Sequence, residues 1–173
     1  MKGVVAGLLL FQFASATAWA ARVPTAIEFR AAYCVRIMQW SVRERSSNQK
    51  MLEQELQARR QGGSLPARNA GLSDETLQEM LQRTQKEAAK EQAILEKLQN
   101  YLGPRQPGLE PESLRAAKQR AEADIQEIAD LNSKCGFQCV HGPDFEACLA
   151  EKCGGKDLLR RFTGCRDKSW LAL

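Results

Sequence analysis

The sequence predicts an all-α protein: an elongated helical bundle with an antiparallel coiled-coil hairpin and a disulfide-stapled helical hairpin at its C-terminal end. Three observations carry that prediction. Apolar residues recur at steps of three and four from Ile27 to Leu131, the spacing that keeps side chains on one face of a helix. Gly/Pro-containing breaks divide this pattern at Gln61–Pro66 and Gly103–Gly108. Five of the six cysteines fall in the last 39 residues, at Cys135, Cys139, Cys148, Cys153 and Cys165, with Cys34 far upstream.

The first 20 residues read as a secretory signal. Lys2 gives a short positive region, Gly3 to Ala14 an apolar run, and Ala18-Trp19-Ala20 a small-x-small cleavage pattern, which places the mature start at Ala21. Gln12, Ser15 and Thr17 weaken the alternative, a retained membrane anchor. No other long apolar run follows, so no integral membrane span is expected after cleavage. An even number of cysteines in an exported chain argues for a closed set of disulfides. The expected organisation is therefore a signal over 1–20, a long-helix bundle over 21–134 and a cysteine-rich helical segment over 135–173.

Thr25 opens the first helix, with Glu28 at capping-box spacing. Ile27, Ala31, Cys34, Met38 and Ser41 share a face, and Leu52 and Leu56 restore the stripe beyond a polar stretch. Within that stretch Ser46-Ser47-Asn48 can break the helix and cap a new one. The second helix begins near Ser73, with Leu72 and Leu77 placed as a hydrophobic staple and Asp74 and Glu75 suited to the positive end of the helix dipole. Leu77, Leu81, Thr84, Ala88, Leu95, Leu98 and Leu102 form a heptad seam with one charged member, Glu91. Pro111 suits the start of a third helix, whose stripe is Leu114, Ala117, Ala121, Ile125, Ile128 and Leu131. These two stripes, joined by a short loop, argue for an antiparallel hairpin, with the first helix the nearest partner for their narrow faces.

Continuing the third stripe by fours leads to Cys135 and Cys139. Gly142-Pro143-Asp144 reads as a turn and helix start, and Phe145, Cys148, Leu149 and Cys153 follow on a short helix closed by Gly154-Gly155. The facing pairs suggest nested bridges, Cys139 with Cys148 and Cys135 with Cys153, which leaves Cys34 and Cys165 to pair. Six cysteines permit about 15 connectivities, and spacing alone does not choose among them. The pattern of three, eight and four intervening residues resembles the disulfide-stapled helical hairpins of several unrelated small proteins, and that resemblance implies no function.

Composition narrows the function classes. Without the signal, 24 basic residues face 21 acidic ones. The charges are interspersed, and Tyr101 is the sole aromatic between Trp40 and Phe137. No concentrated basic patch with interleaved aromatics is present, so no nucleic-acid partner is expected. Cys135, Cys139, His141, Cys148 and Cys153 are potential zinc donors but lack a CXXC knuckle. The stretch Cys135 to His141 is too widely spaced for haem attachment, and no redox CXXC occurs. His141, the single histidine, lies near Cys139, yet an even cysteine count leaves no obvious free nucleophile. No catalytic residue, cofactor or metal site is expected.

Leu158-Leu159-Arg160-Arg161-Phe162 and Trp170-Leu171-Ala172-Leu173 are expected to cover the disulfide end. The alternative is a docking segment for a partner or a membrane surface. The favoured reading is an exported, periplasmic or secreted, non-enzymatic protein that makes protein–protein contacts, such as an accessory subunit of an envelope or secretion assembly. The alternatives are a secreted disulfide-rich ligand-binding or enzyme-inhibitor module and, behind it, a cysteine-dependent enzyme or zinc protein.

Overall fold

A computed structural model describes residues 24–62, 69, 71–103, 111–135, 139, 145–167 and 169–171. The signal-like segment over 1–20, His141 and the Gly142–Asp144 turn lie outside the described residues, as do Ala172 and Leu173. Five α-helices follow in order: α1 (Ala26–Arg60), α2 (Asp74–Leu102), α3 (Glu112–Cys135), α4 (Phe145–Lys152) and α5 (Lys156–Arg166). A 3₁₀ turn over Ser169–Leu171 comes last, and no strand occurs among the described residues. The chain is an all-α, elongated helical bundle with an antiparallel coiled-coil hairpin and a disulfide-stapled C-terminal helical hairpin.

The start of α1 is locally determined. Thr25 Oγ1 accepts from the Glu28 backbone N–H, and Glu28 Oε2 accepts from the Thr25 N–H at 2.7 Å, so each satisfies a donor the first turn leaves free. From there α1 runs unbroken for 35 residues. Ser46, Ser47 and Asn48 do not interrupt it. All three are exposed, and flanking anchors at Arg45 and Leu52 hold the backbone helical at a propensity cost of only a few tenths of a kcal/mol per residue. Ser73 caps α2 by accepting from the Thr76 N–H.

The antiparallel hairpin is formed by α1 and α2, whose register is visible in the pairs Arg59–Asp74, Ser41–Glu91 and Arg45–Glu91. The third helix packs on α1 instead of running alongside α2. The reason lies in α1, whose N-terminal half buries Ala31, Ala32, Cys34, Val35, Ile37 and Met38. These residues point in several directions around the helix axis, so α1 serves as the central helix. On one side they meet Ile94, Leu95 and Leu98 of α2; on another, Ala32 meets Leu114 and Ala117 of α3. The small residues Ala117 and Ala121 are fully buried, which allows this close approach.

Beyond Arg45 and Glu91 the bundle thins to a two-helix arm. Its core is Leu52, Leu56 and Leu77, with half-buried Leu72 and Leu81 against them. From Arg45 to Arg60 the arm extends about 22 Å at ~1.5 Å per residue. Its tip is fastened by Arg59, which donates to the carbonyls of Leu72 (2.7 Å) and Asn69 (2.8 Å) and to Glu55 (2.9 Å) and Asp74 (3.2 Å). Because so few side chains fill the arm, Leu77→Ala is expected to cost about 2–3 kcal/mol, the lower part of the range for a buried leucine with room to collapse. Native-state hydrogen exchange will read this as faster exchange at the arm than near Met38.

Candidate functional site: the clasped helix junction and the arm

At the base of the arm α5 lies across the bundle. Leu158, Leu159, Phe162 and Cys165 are buried on its inner face, and Phe162 meets Trp40 edge-on with ring centroids 5.6 Å apart. The segment expected to cover the disulfide end does so as an 11-residue helix. Phe162 is therefore a core residue and is not available for docking. Trp170 folds back as well: its indole N–H donates to the Gly164 carbonyl at 3.1 Å, and the Arg30 guanidinium sits 4.5 Å over its ring. Arg30 also donates to that same carbonyl, at 3.2 Å.

Three disulfides hold this end. Cys34 of α1 is bridged to Cys165 of α5, across 131 residues of sequence, with Cα atoms 5.3 Å apart. Cys135 at the end of α3 is bridged to Cys153, and Cys139 to Cys148 of α4. A close approach completes the turn between α4 and α5: a Cβ on Gly155 would stand only 3.1 Å from Leu131 Cδ1. No cysteine is free, and among the described residues no three His, Cys, Asp or Glu side chains converge as a metal-ligand set.

Between the helices lie two deeply buried carboxylates. Glu91, 2% exposed, accepts from Ser41 Oγ (2.7 Å) and from both Nε (2.8 Å) and Nη2 (2.9 Å) of Arg45. Arg166 Nε of α5 stands 3.0 Å from its Oε1 as a second ion-pair partner. Asp124, 1% exposed, accepts from the Tyr33 hydroxyl at 2.7 Å and from Arg161 Nε and Nη2 at 2.9 and 3.2 Å. Arg120 approaches it from the same helix at 3.3 Å. A buried carboxylate without partners is costly; here forked guanidinium contacts and hydroxyls satisfy the acceptor positions.

Glu91 stands out in the sequence as the one charged member of an apolar seam. Asp124 was readable by the same test, since it lies three residues after Ala121 and four before Ile128, yet the stripe through Ile125 hides it. Arg45 and Arg161 carry no sequence signal of their own, because each lies among other arginines of its helix, Arg43 beside the one and Arg160 beside the other.

Burial, and then the hydrogen bond its hydroxyl donates to Asp124, push the Tyr33 phenol far above its ordinary pKa. A group held protonated in the folded state contributes stability that is complete below its unfolded pKa, about 10 for tyrosine, and is lost as pH rises beyond it. In a Tyr101→Phe protein, which leaves Tyr33 as the single tyrosine, phenolate absorbance is expected to stay absent through pH ~10 and to appear only with alkaline unfolding. A reversible titration near ~10 in the folded protein would contradict this placement.

The surface offers few apolar features. Met51 (43% exposed) and Met80 (40%) stand at one level of the arm, each one residue before an inward-facing leucine, Leu52 and Leu81. In an antiparallel pair those two positions share a face. No helix among the described residues is long and apolar enough to cross a membrane. Comparison with family models, curated proteins and solved structures finds no match to this chain.

Proposed function

We propose that this is an exported, non-enzymatic scaffold protein whose two-helix arm makes contacts with a protein partner, in the manner of an accessory subunit of an envelope or secretion assembly. The observation that carries the reading is the division of the molecule into a clasped end and an arm. Disulfides, a core fed by all five helices and two buried ion-pair sites concentrate at one end. The arm has a thin core, a tip fastened by Arg59, and the exposed pair Met51 and Met80. Unbranched, polarizable methionine side chains suit adaptable contact surfaces. Export is supported by the signal-like sequence of residues 1–20 and by the use of every cysteine in a bridge.

Photo-crosslinkable residues placed at Met80 on the arm and at Arg160 on the exposed side of α5 test this in native extracts. The arm position is expected to give one discrete adduct, lost when Met51→Lys and Arg83→Glu are added without change in thermal stability. An adduct from Arg160 alone would move the contact to the disulfide end and favour a ligand-binding or inhibitor module.

A further inference from the structure

We propose that Glu91 and Asp124 are docking keys for α5, two buried carboxylates on different helices whose ion pair with Arg166 and forked contact with Arg161 set its register and thereby select Cys34 as the partner of Cys165. The spacing on α5 is the starting point. Arg161 lies one helical turn before Cys165, and Arg166 follows it directly. Arg161 reaches α3 at Asp124, Arg166 reaches α2 at Glu91, and Cys165 between them meets α1 at Cys34. One short helix is thus fixed on three others by three consecutive polar or covalent contacts.

The apolar contacts of α5 are less directional: Leu158, Leu159 and Phe162 form a narrow buried stripe, with Phe162 edge-on to Trp40. A shift of α5 by one turn would move each arginine about 5 Å from its carboxylate, costing Asp124 its fork and Glu91 one of its two ion pairs, a penalty against the wrong register. Each key is also prebuilt without α5: Ser41 and Arg45 hold Glu91, and Tyr33 and Arg120 hold Asp124. The receiving surface is therefore charged and oriented before α5 arrives. The Arg161 fork gives directional recognition that lysine would not.

This makes Cys34–Cys165 the last bridge to close. Cys135–Cys153 and Cys139–Cys148 close short loops, with sequence separations of 18 and 9, whereas Cys34–Cys165 spans 131. When α5 docks, the two thiols lose two electrons and two protons to an external disulfide oxidant, which is reduced to two thiols. Docking raises the effective concentration of one thiol at the other; without the keys, Cys165 is free to react with cysteines of the neighbouring α3–α4 segment.

Oxidative refolding of the reduced, denatured chain in a glutathione buffer, with acid quenching and peptide mapping over time, tests the proposal. The native chain is expected to close both short bridges first and Cys34–Cys165 last, with Cys165 seldom found elsewhere. Arg161→Met and Arg166→Met are expected to leave the short bridges at native rates, to lower the equilibrium constant for Cys34–Cys165 against glutathione by roughly tenfold or more, and to raise mispaired Cys165. Arg161→Lys, which keeps the charge but loses the fork, and Arg166→Lys, which keeps the charge without the planar guanidinium, should fall between and remain readable if the methionine variants do not fold. A purely stabilising role would lower thermal stability in these variants but leave the distribution of Cys165 among its partners unchanged. Native pairing at native yield in all four variants would overturn the proposal, as would closure of Cys34–Cys165 before the short bridges.

Discussion

Replacing Arg45 and Arg166 together by methionine is expected to destabilise the protein by about 3–5 kcal/mol, the cost of leaving a buried charge without its partners. The reason is geometric. Glu91 is almost fully enclosed, whereas the two arginines keep about a quarter of their surface in water. Removing Glu91 would let both guanidiniums turn outward, but removing both arginines strands the carboxylate with only the Ser41 hydroxyl. A chain of this size should lose roughly 10 °C in melting temperature. Adding Glu91→Leu and Ser41→Ala to the double variant is expected to recover most of the loss, because a well-packed apolar replacement of a buried ion pair is often neutral. Thermal unfolding followed by circular dichroism checks both halves. If the double variant melts within about 2 °C of the native protein, Glu91 is not held as described.

Cys34→Ser/Cys165→Ser is the second large effect. Opening a loop of 131 residues is expected to cost about 4–5 kcal/mol in the chain-entropy model, read from guanidinium unfolding under non-reducing conditions. The effect is selective in space. The bridge joins the start of the central helix to the last helix, so α5 should lose exchange protection first and the arm least, since Leu52, Leu56 and Leu77 lie in a separate cluster. Uniform loss of protection along the whole chain would show the arm and the clasped end to be one cooperative unit.

The limits of what was legible in the sequence follow from the same physics. Caps are local, so Thr25 with Glu28 and Ser73 with its acidic first turn mark two helix starts correctly without any tertiary information. Partner choice is not local. The seams of α2 and α3 look matched to each other, yet both helices pack on α1, because its N-terminal half is apolar around several directions and the stripe Ile27–Ser41 records only one of them. Ile27 itself remains exposed at the helix start. The break that Ser46–Asn48 could have made does not form, since exposed polar residues weaken a helix too little to end one anchored on both sides.

The candidate site was legible in half. Glu91 interrupts an apolar seam and so announces a buried charge, but its partners come from α1 and α5, at 46 and 75 residues' remove in sequence, and arginine spacing holds no trace of that. The α5 helix was readable as an apolar and basic segment; its helical form depends on burying Leu158, Leu159 and Phe162 against α1 and α4.

Peptide mapping of the unreduced protein, alkylated and digested in acid to prevent exchange, tests the clasp most directly. The structure predicts three linked pairs, Cys34 with Cys165, Cys135 with Cys153 and Cys139 with Cys148, and no alkylated cysteine. Cys165 linked to Cys135, Cys139, Cys148 or Cys153, or recovered as a free thiol beside a free Cys34, would contradict a clasp that closes across the central helix.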